Sequence, residues 1–333
     1  MPRVSRFGRL ADGREVQAIT LGDRDALQAR VLTYGAILHS LSIPVAGQRR
    51  EMILALGDIR QYENDTAYVG PVVGRFANRI AQGRFSVDGS AHQLSRNENG
   101  NHLHGGAKGV GRQMWHVLGA PSESRLTLAL QSPAGDEGYP GNLDIQMQLE
   151  LRDDALKISF DARCDAPTPV NLTCHPYFNL GGEATQHWLR IPASHYLPVG
   201  PGLIPTGEIA AVQGTPFDFR TGRRVQPPPV DTHQQLALGG GFDHCWVLDP
   251  DADCQCELRS PAGDVTLTIS GSGPGLQFYS GQYLSRAQPG IGSGIALEPQ
   301  GFPDAPNHAG FPDAMLRPGA QYRAHIEYRF SPA

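Results

Sequence analysis

Three short segments concentrate residues able to move protons. The first is Asn99-Gly100-Asn101-His102-Leu103-His104-Gly105-Gly106, with imidazoles at i and i+2. In an extended chain these two lie on one side, and the glycines let a ligand approach the backbone. A metal site of the His-x-His type needs a carboxylate three or four residues further on. Ala107 and Lys108 occupy those positions, so that pattern fails. A substrate-contacting histidine, a loop histidine bonded to backbone and a metal-dependent site using His102 and His104 without that carboxylate remain as readings. The second segment is Asn171-Leu172-Thr173-Cys174-His175-Pro176-Tyr177-Phe178-Asn179-Leu180. Pro176 restricts His175 to an extended conformation, which fixes where its ring is aimed. Cys174 is its neighbour, but adjacent strand residues face opposite ways, so His175 does not activate that thiol. A core histidine with satisfied nitrogens is the alternative reading. The third segment runs Gly294-Ile295-Ala296-Leu297-Glu298-Pro299-Gln300-Gly301. A carboxylate at the end of a short apolar strand is costly to bury unless it is paired or used. Burial would raise its pKa toward neutrality, where a carboxylate is a better general base. The alternative is a glutamate satisfied by loop amides.

Other segments look built to hold a polar ligand. Gly74-Arg75-Phe76-Ala77-Asn78-Arg79-Ile80 places two guanidinium groups four residues apart around Asn78, able to grip hydroxyls or a carboxylate. Gly241-Phe242-Asp243-His244-Cys245-Trp246 combines a carboxylate for paired hydroxyls with an aromatic ring for C–H faces. Gly273-Pro274-Gly275-Leu276-Gln277-Phe278-Tyr279-Ser280 adds aromatic lining. Lysine-dependent chemistry has little to work with, because only Lys108 and Lys157 are present among 28 basic residues. Lys157 sits in an alternating strand, and Lys108 lies among glycines that would not depress an amine pKa. The five cysteines, Cys164, Cys174, Cys245, Cys254 and Cys256, form neither a disulfide framework nor a paired metal motif.

The elements that position these groups read as strands. Leu126, Leu128 and Leu130 alternate with small or polar residues, as do Leu143, Ile145, Met147, Leu149 and Leu151. Leu156, Ile158 and Phe160, then Val265, Leu267 and Ile269, then Tyr322 to Phe330 repeat the pattern. Period-two alternation means one buried and one wet face. Turn residues bound each stripe, and 40 glycines with 27 prolines in 333 residues fit many tight turns. Helical periodicity is confined to about two turns, with Asp58–Asn64 as one candidate. The expectation is an all-β chain, a large antiparallel β-sandwich with few short helices, forming one domain over residues 1–333. The proline-rich stretch from Val212 to Gly241 reads as a long surface loop. A net charge of −5 without a basic block argues against nucleic-acid binding. No apolar run near 18 residues and no signal-like segment is present, so a membrane span is not expected and the cytoplasm is the default location.

The segments 74–80, 101–106, 136–141 (Asp-Glu-Gly-Tyr-Pro-Gly), 171–180, 242–244, 274–281 and 297–300 (Leu-Glu-Pro-Gln) together, in this order, resemble the aldose 1-epimerase (galactose mutarotase) family over nearly the whole chain. The resemblance implies a β-sandwich without metal or cofactor, occurring as a monomer or homodimer, that interconverts the α and β anomers of sugars such as D-galactose and D-glucose. It implies Glu298 as general base, His175 as general acid and His104 as a second histidine near the ring oxygen. Arg75, Asn78, Asp243, Gln300, Phe278 and Tyr177 become the expected sugar ligands. Cys174 and Pro299 depart from the family pattern beside the acid and the base, and which aldose is preferred stays open. The chemistry requires His175 to start protonated, with a nearby carboxylate helping to hold the charge. A non-catalytic sugar-binding or regulatory module on the same fold is the alternative.

Overall fold

Rows of apolar side chains, read across neighbouring strands, organise the molecule. In the computed structural model, which describes residues 3–23 and 25–332, the alternating stripes become the inner face of a nine-stranded sheet. Its order is His116–Val117, Arg125–Ser132, Leu143–Arg152, Ala155–Cys164, Tyr322–Pro332, Val265–Gly271, Cys256–Arg259, Trp188–Arg190 and Arg223–Arg224. The register sets Leu128 opposite Met147, Met147 opposite Phe160, and Phe160 opposite Ala324. One row of cross-strand neighbours therefore faces the core continuously over four strands, the pairing that stabilises a sheet most directly.

A six-stranded antiparallel sheet packs against this face. Its order is Tyr177–Phe178, Ile295–Gln300, Gly275–Tyr279, Asp243–Val247, His195–Leu197 and Ala210–Ala211. Leu297, Phe278, Leu276 and Trp246 point inward and join Ile158, Leu267 and Met147 in one apolar cluster. The opposite face of the same strands carries Glu298, Gln277 and Asp243. A five-stranded N-terminal sheet from Arg3–Arg9 to Gln48–Glu51 contributes Val31 and Leu41 to the same cluster. The result is the antiparallel sandwich expected from the stripes. No helix among the described residues is long and apolar enough to cross a membrane.

Helices are short. The Asp58–Asn64 candidate forms as Ile59–Glu63, where the Asp58 carboxylate caps the first turn by accepting the Gln61 N–H at 3.0 Å. The stretch from Val212 to Gly241 differs from expectation. Phe217, Phe219 and Val225 are fully buried, and Gln234–Gly239 is helical. Phe217 and Phe219 keep the spacing of a strand, but turns on either side leave them without a ladder partner, and with Val225 they fill the core from an irregular backbone.

Candidate active site

The groups that could move protons come together on the outward face of the six-stranded sheet. Glu298 lies in strand Ile295–Gln300, directly opposite Gln277 of strand Gly275–Tyr279. His175 connects the short strands Thr173–Cys174 and Tyr177–Phe178. Its own N–H donates to the Pro71 carbonyl at 3.0 Å, and its carbonyl accepts from the Gly70 N–H at 2.9 Å, so its backbone is fixed on both sides. His104 follows the two-residue strand His102–Leu103, which pairs with Arg79–Ile80. The chain turns there through a left-handed His104 (φ 52°) into Gly105 and Gly106. Gly105 is required: a Cβ on it would sit 1.6 Å from the Gly74 carbonyl oxygen.

His175 Nε2 lies 3.5 Å from Glu298 Oε1, with both side chains buried. One ligating atom from each of His104, His175 and Glu298 lies within 4.8 Å of the others. They line a cavity of about 490 Å³ whose walls also include Tyr68, Asn78, Arg79, Glu98, Tyr177, Asp243, Gln277 and Tyr279. Arg79 donates to Glu98 at 3.2 Å and lies 3.8 Å from Asp243. Gln277 Nε2 donates to Asp243 Oδ1 at 2.6 Å. This wall is a chain of alternating charges and dipoles, suited to a ligand of many hydroxyls.

Burial sets the protonation of the site. It lowers the His175 pKa to about 4, and it raises that of Glu298 well above the ordinary carboxylate range, with the Asp243 charge adding to the rise. A single proton shared by the pair therefore rests on Glu298. This corrects the expectation that the nearby carboxylate keeps His175 charged: desolvation outweighs it. Asp243 is also pushed up by burial, against the pull of Arg79 and the Gln277 amide. His104 is held well below its ordinary value, mainly by burial. The Asn78 backbone N–H donates to His104 Nδ1 at 3.1 Å. A backbone amide can only donate, so the neutral imidazole carries its hydrogen on Nε2.

That tautomer decides the metal question on chemistry. Two imidazoles and a carboxylate at this spacing match a donor set for zinc. His104, however, has its Nδ1 lone pair engaged by an amide and a hydrogen on Nε2, so it offers no free lone pair to an ion. The trio is arranged for hydrogen bonding and proton transfer.

The structure gathers His104, His175, Glu298, Asn78, Asp243 and Tyr177 around the cavity. Tyr177 is wall more than ligand: its hydroxyl donates to the Ala67 carbonyl at 2.8 Å and its ring centroid lies 5.1 Å from that of His175. Three expected sugar ligands are elsewhere. Arg75 is 1 % exposed, and its guanidinium donates to the carbonyls of Ser132, Pro133, Pro140 and Gly141 and to the Ser132 hydroxyl. It ties loops together, and Arg79 holds the place at the cavity. Phe278 points to the core, since alternation along its strand turns Gln277 and Tyr279 outward. Gln300 shares the face of Glu298 but lies one pleat further along, at a separate cavity beside Tyr322 and His325. Period two, applied to strand 275–279 once Glu298 is paired with Gln277, would have found Gln277 and Tyr279. Nothing periodic distinguishes Arg79 from Arg75 in the irregular segment 74–80.

Among solved structures, the galactose 1-epimerase of Lactobacillus acidophilus NCFM matches with a TM-score of 0.88 at 29% identity, covering 100% of this chain and 99% of that one. An aldose epimerase homologue from C. elegans matches at 0.86 and 29% identity, covering 95% and 99%. Fold and cleft together define a sugar epimerase on an antiparallel sandwich. The family model for aldose 1-epimerase matches residues 17–329. The aldose 1-epimerase of Escherichia coli (strain K12) is 36% identical with 96% of each chain covered, and the galactose mutarotase of Homo sapiens is 36% identical with 100% of each covered. The chain belongs to the aldose 1-epimerase family, and it is an isomerase that interconverts sugar anomers.

Proposed function

We propose that the chain equilibrates the α and β anomers of free aldohexoses, D-galactose and D-glucose, with Glu298 and His175 as the proton-transferring pair. The observation that carries this reading is the 3.5 Å approach of His175 Nε2 to Glu298 Oε1 at the edge of a polar cavity. A pyranose bound across the pair presents its C1 hydroxyl to Glu298 and its ring oxygen O5 to His175. The pair's one proton, which rests on Glu298 before the sugar binds, crosses the 3.5 Å contact to His175, leaving the Glu298 carboxylate free to act as base. Glu298 removes the hydroxyl proton, the C1–O5 bond breaks as C1=O1 forms, and His175 delivers a proton to O5. The C1–C2 bond rotates. Closure on the other face returns the O5 proton to His175 and the Glu298 proton to O1. His104 Nε2–H is a fixed donor for an oxygen near the reacting bond. Asn78, Arg79, Asp243 and Gln277 hold the remaining hydroxyls. The wall favours an uncharged sugar, because the Arg79 guanidinium that lines it is already engaged by Glu98 and Asp243. The reading treats residues 1–333 as one domain, in keeping with a main apolar cluster that draws on all three large sheets.

The reactive form has one proton on the pair. The rate should therefore rise above about pH 4, where the pair loses the second of its two protons from His175, and fall again once Glu298 passes its raised value.

The test is polarimetry of freshly dissolved α-D-galactose and α-D-glucose, with EDTA present and a protein-free trace subtracted. Dose-dependent acceleration is expected. Glu298→Gln should lower kcat by about 10²–10⁴-fold while sugar binding and the melting temperature persist. Near-normal mutarotation by that variant would remove Glu298 from the base role. Sugar binding by the wild-type protein without acceleration would favour the non-catalytic module.

A further inference from the structure

Tyr68 belongs to no expected set of site residues, yet it touches both imidazoles. Its ring packs edge-on against His104, with centroids 4.6 Å apart and planes at 60°, and lies 6.1 Å from His175. Its hydroxyl accepts from Asn97 Nδ2 at 3.2 Å. The same Asn97 amide group brackets Leu103, donating to its carbonyl at 2.9 Å and accepting from its N–H at 2.8 Å. Leu103 is the residue before His104, so hydroxyl and ring hold one short segment from two directions.

The loop carrying Tyr68 is itself constrained. Tyr68 has φ 57°, a left-handed backbone that a bulky side chain rarely adopts and that persists only where the surroundings impose it. The Asp65 carboxylate imposes it by accepting the N–H groups on either side, Ala67 at 2.7 Å and Val69 at 2.6 Å. A third bond, from Gln288 Nε2 at 2.8 Å, ties Asp65 to the end of the short helix Leu284–Ala287, whose Leu284 and Ala287 line the cavity. The next link is direct, since the Gly70 N–H donates to the His175 carbonyl. The Arg112 guanidinium lies 5.9 Å over the Tyr68 ring.

We propose that Tyr68 is a positioning residue for the isomerisation: its ring sets the angle of the His104 imidazole and closes the wall that keeps water from His175. The inference rests on the acid–base reading above. With Nδ1 of His104 pinned by a single backbone N–H, the ring can still swing about that bond, and Tyr68 supplies the second contact that fixes it. Towards His175, the facing groups are Glu298, His104, Tyr68 and Tyr177. Arg79 and His102 act on His104, and Arg112, Glu98 and Asp65 act on Tyr68. Among the groups facing His175, Tyr68 is an aromatic wall without formal charge whose removal hydrates the site.

The experiment compares wild type, Tyr68→Phe and Tyr68→Leu by polarimetry over a full pH series, with sugar affinity and melting temperature measured alongside. Tyr68→Phe keeps the ring and should retain kcat within about threefold, having lost one hydrogen bond. Tyr68→Leu should lower kcat by about 10–100-fold, the effect of misplacing a catalytic group. Sugar affinity should change less. The acid limb of the pH profile should move upward, as hydration brings His175 back toward its ordinary value. The proposal is overturned if Tyr68→Leu keeps wild-type kcat, if Phe and Leu are equally impaired, or if Leu lowers kcat with the acid limb in place. A wild-type protein that fails to accelerate mutarotation would overturn the parent reading instead.

Discussion

Two arginines four residues apart have opposite fates, and the difference is a matter of what surrounds each guanidinium. Arg75 reaches four backbone carbonyls and a hydroxyl in the interior, so all its donors are used by the protein. Arg79 faces two carboxylates at the cavity wall. Arg75→Met should strand several buried carbonyls, at about 1–3 kcal/mol each. Its melting temperature should drop, with KM unchanged in the folded fraction. Arg79→Met should weaken sugar binding by about 10–100-fold, the worth of a charge-assisted hydrogen bond. Steady-state polarimetry and thermal melts separate the two, and a raised KM in the Arg75 variant would contradict the assignment. The motif around these residues was legible in the sequence, as were His104, His175 and Glu298. Which arginine points where was not, because that depends on carbonyls at 132–141, far along the chain. The same holds for Tyr68: its role comes from a left-handed backbone set by Asp65, which no spacing rule reads.

At the level of elements, alternation does most of the positioning. Strands 243–247, 275–279 and 295–300 each turn one set of side chains to the core and the next to the cavity, and the register of Gln277 with Glu298 aligns the outward sets. The stripes of the nine-stranded sheet were visible in the sequence because the five strands that carry them run for 7 to 11 residues. Strand Thr173–Cys174 has two residues, too few for any pattern, so the support beneath His175 was not. The turn after His104 is the least forgiving element. Gly105→Ala would press a methyl into the Gly74 carbonyl at a backbone φ of 86°. The turn must shift, carrying His104 with it, and kcat should fall by about 100-fold. A wild-type rate from this variant would mean that His104 need not be held where it lies.

For the whole molecule, buried histidines govern how stability responds to acid. Burial lowers His39 and His175 to about 4 and His244 to about 3, and depresses His102, His104 and His187 as well. In the unfolded chain these titrate near 6.5. Between that value and about 4 the unfolded state binds more protons, so stability falls as pH falls through this window. Glu298, Asp243 and Asp304 are raised by burial and act with the opposite sign, binding a proton in the folded state above their ordinary range. They are fewer, so the histidines should prevail. Denaturant midpoints measured in steps from pH 7 to pH 5 should decline, and a flat profile would mean that these imidazoles are not desolvated. The deep burial of His175 and Glu298 has one more consequence. Ring opening moves one proton from O1 to Glu298 and another from His175 to O5, and ring closure undoes both transfers. Each turnover thus returns the pair to its starting state, and nothing has to be exchanged with bulk water. A dry pair can cycle indefinitely without a relay to the surface, and its turnover should be indifferent to how much buffer surrounds it.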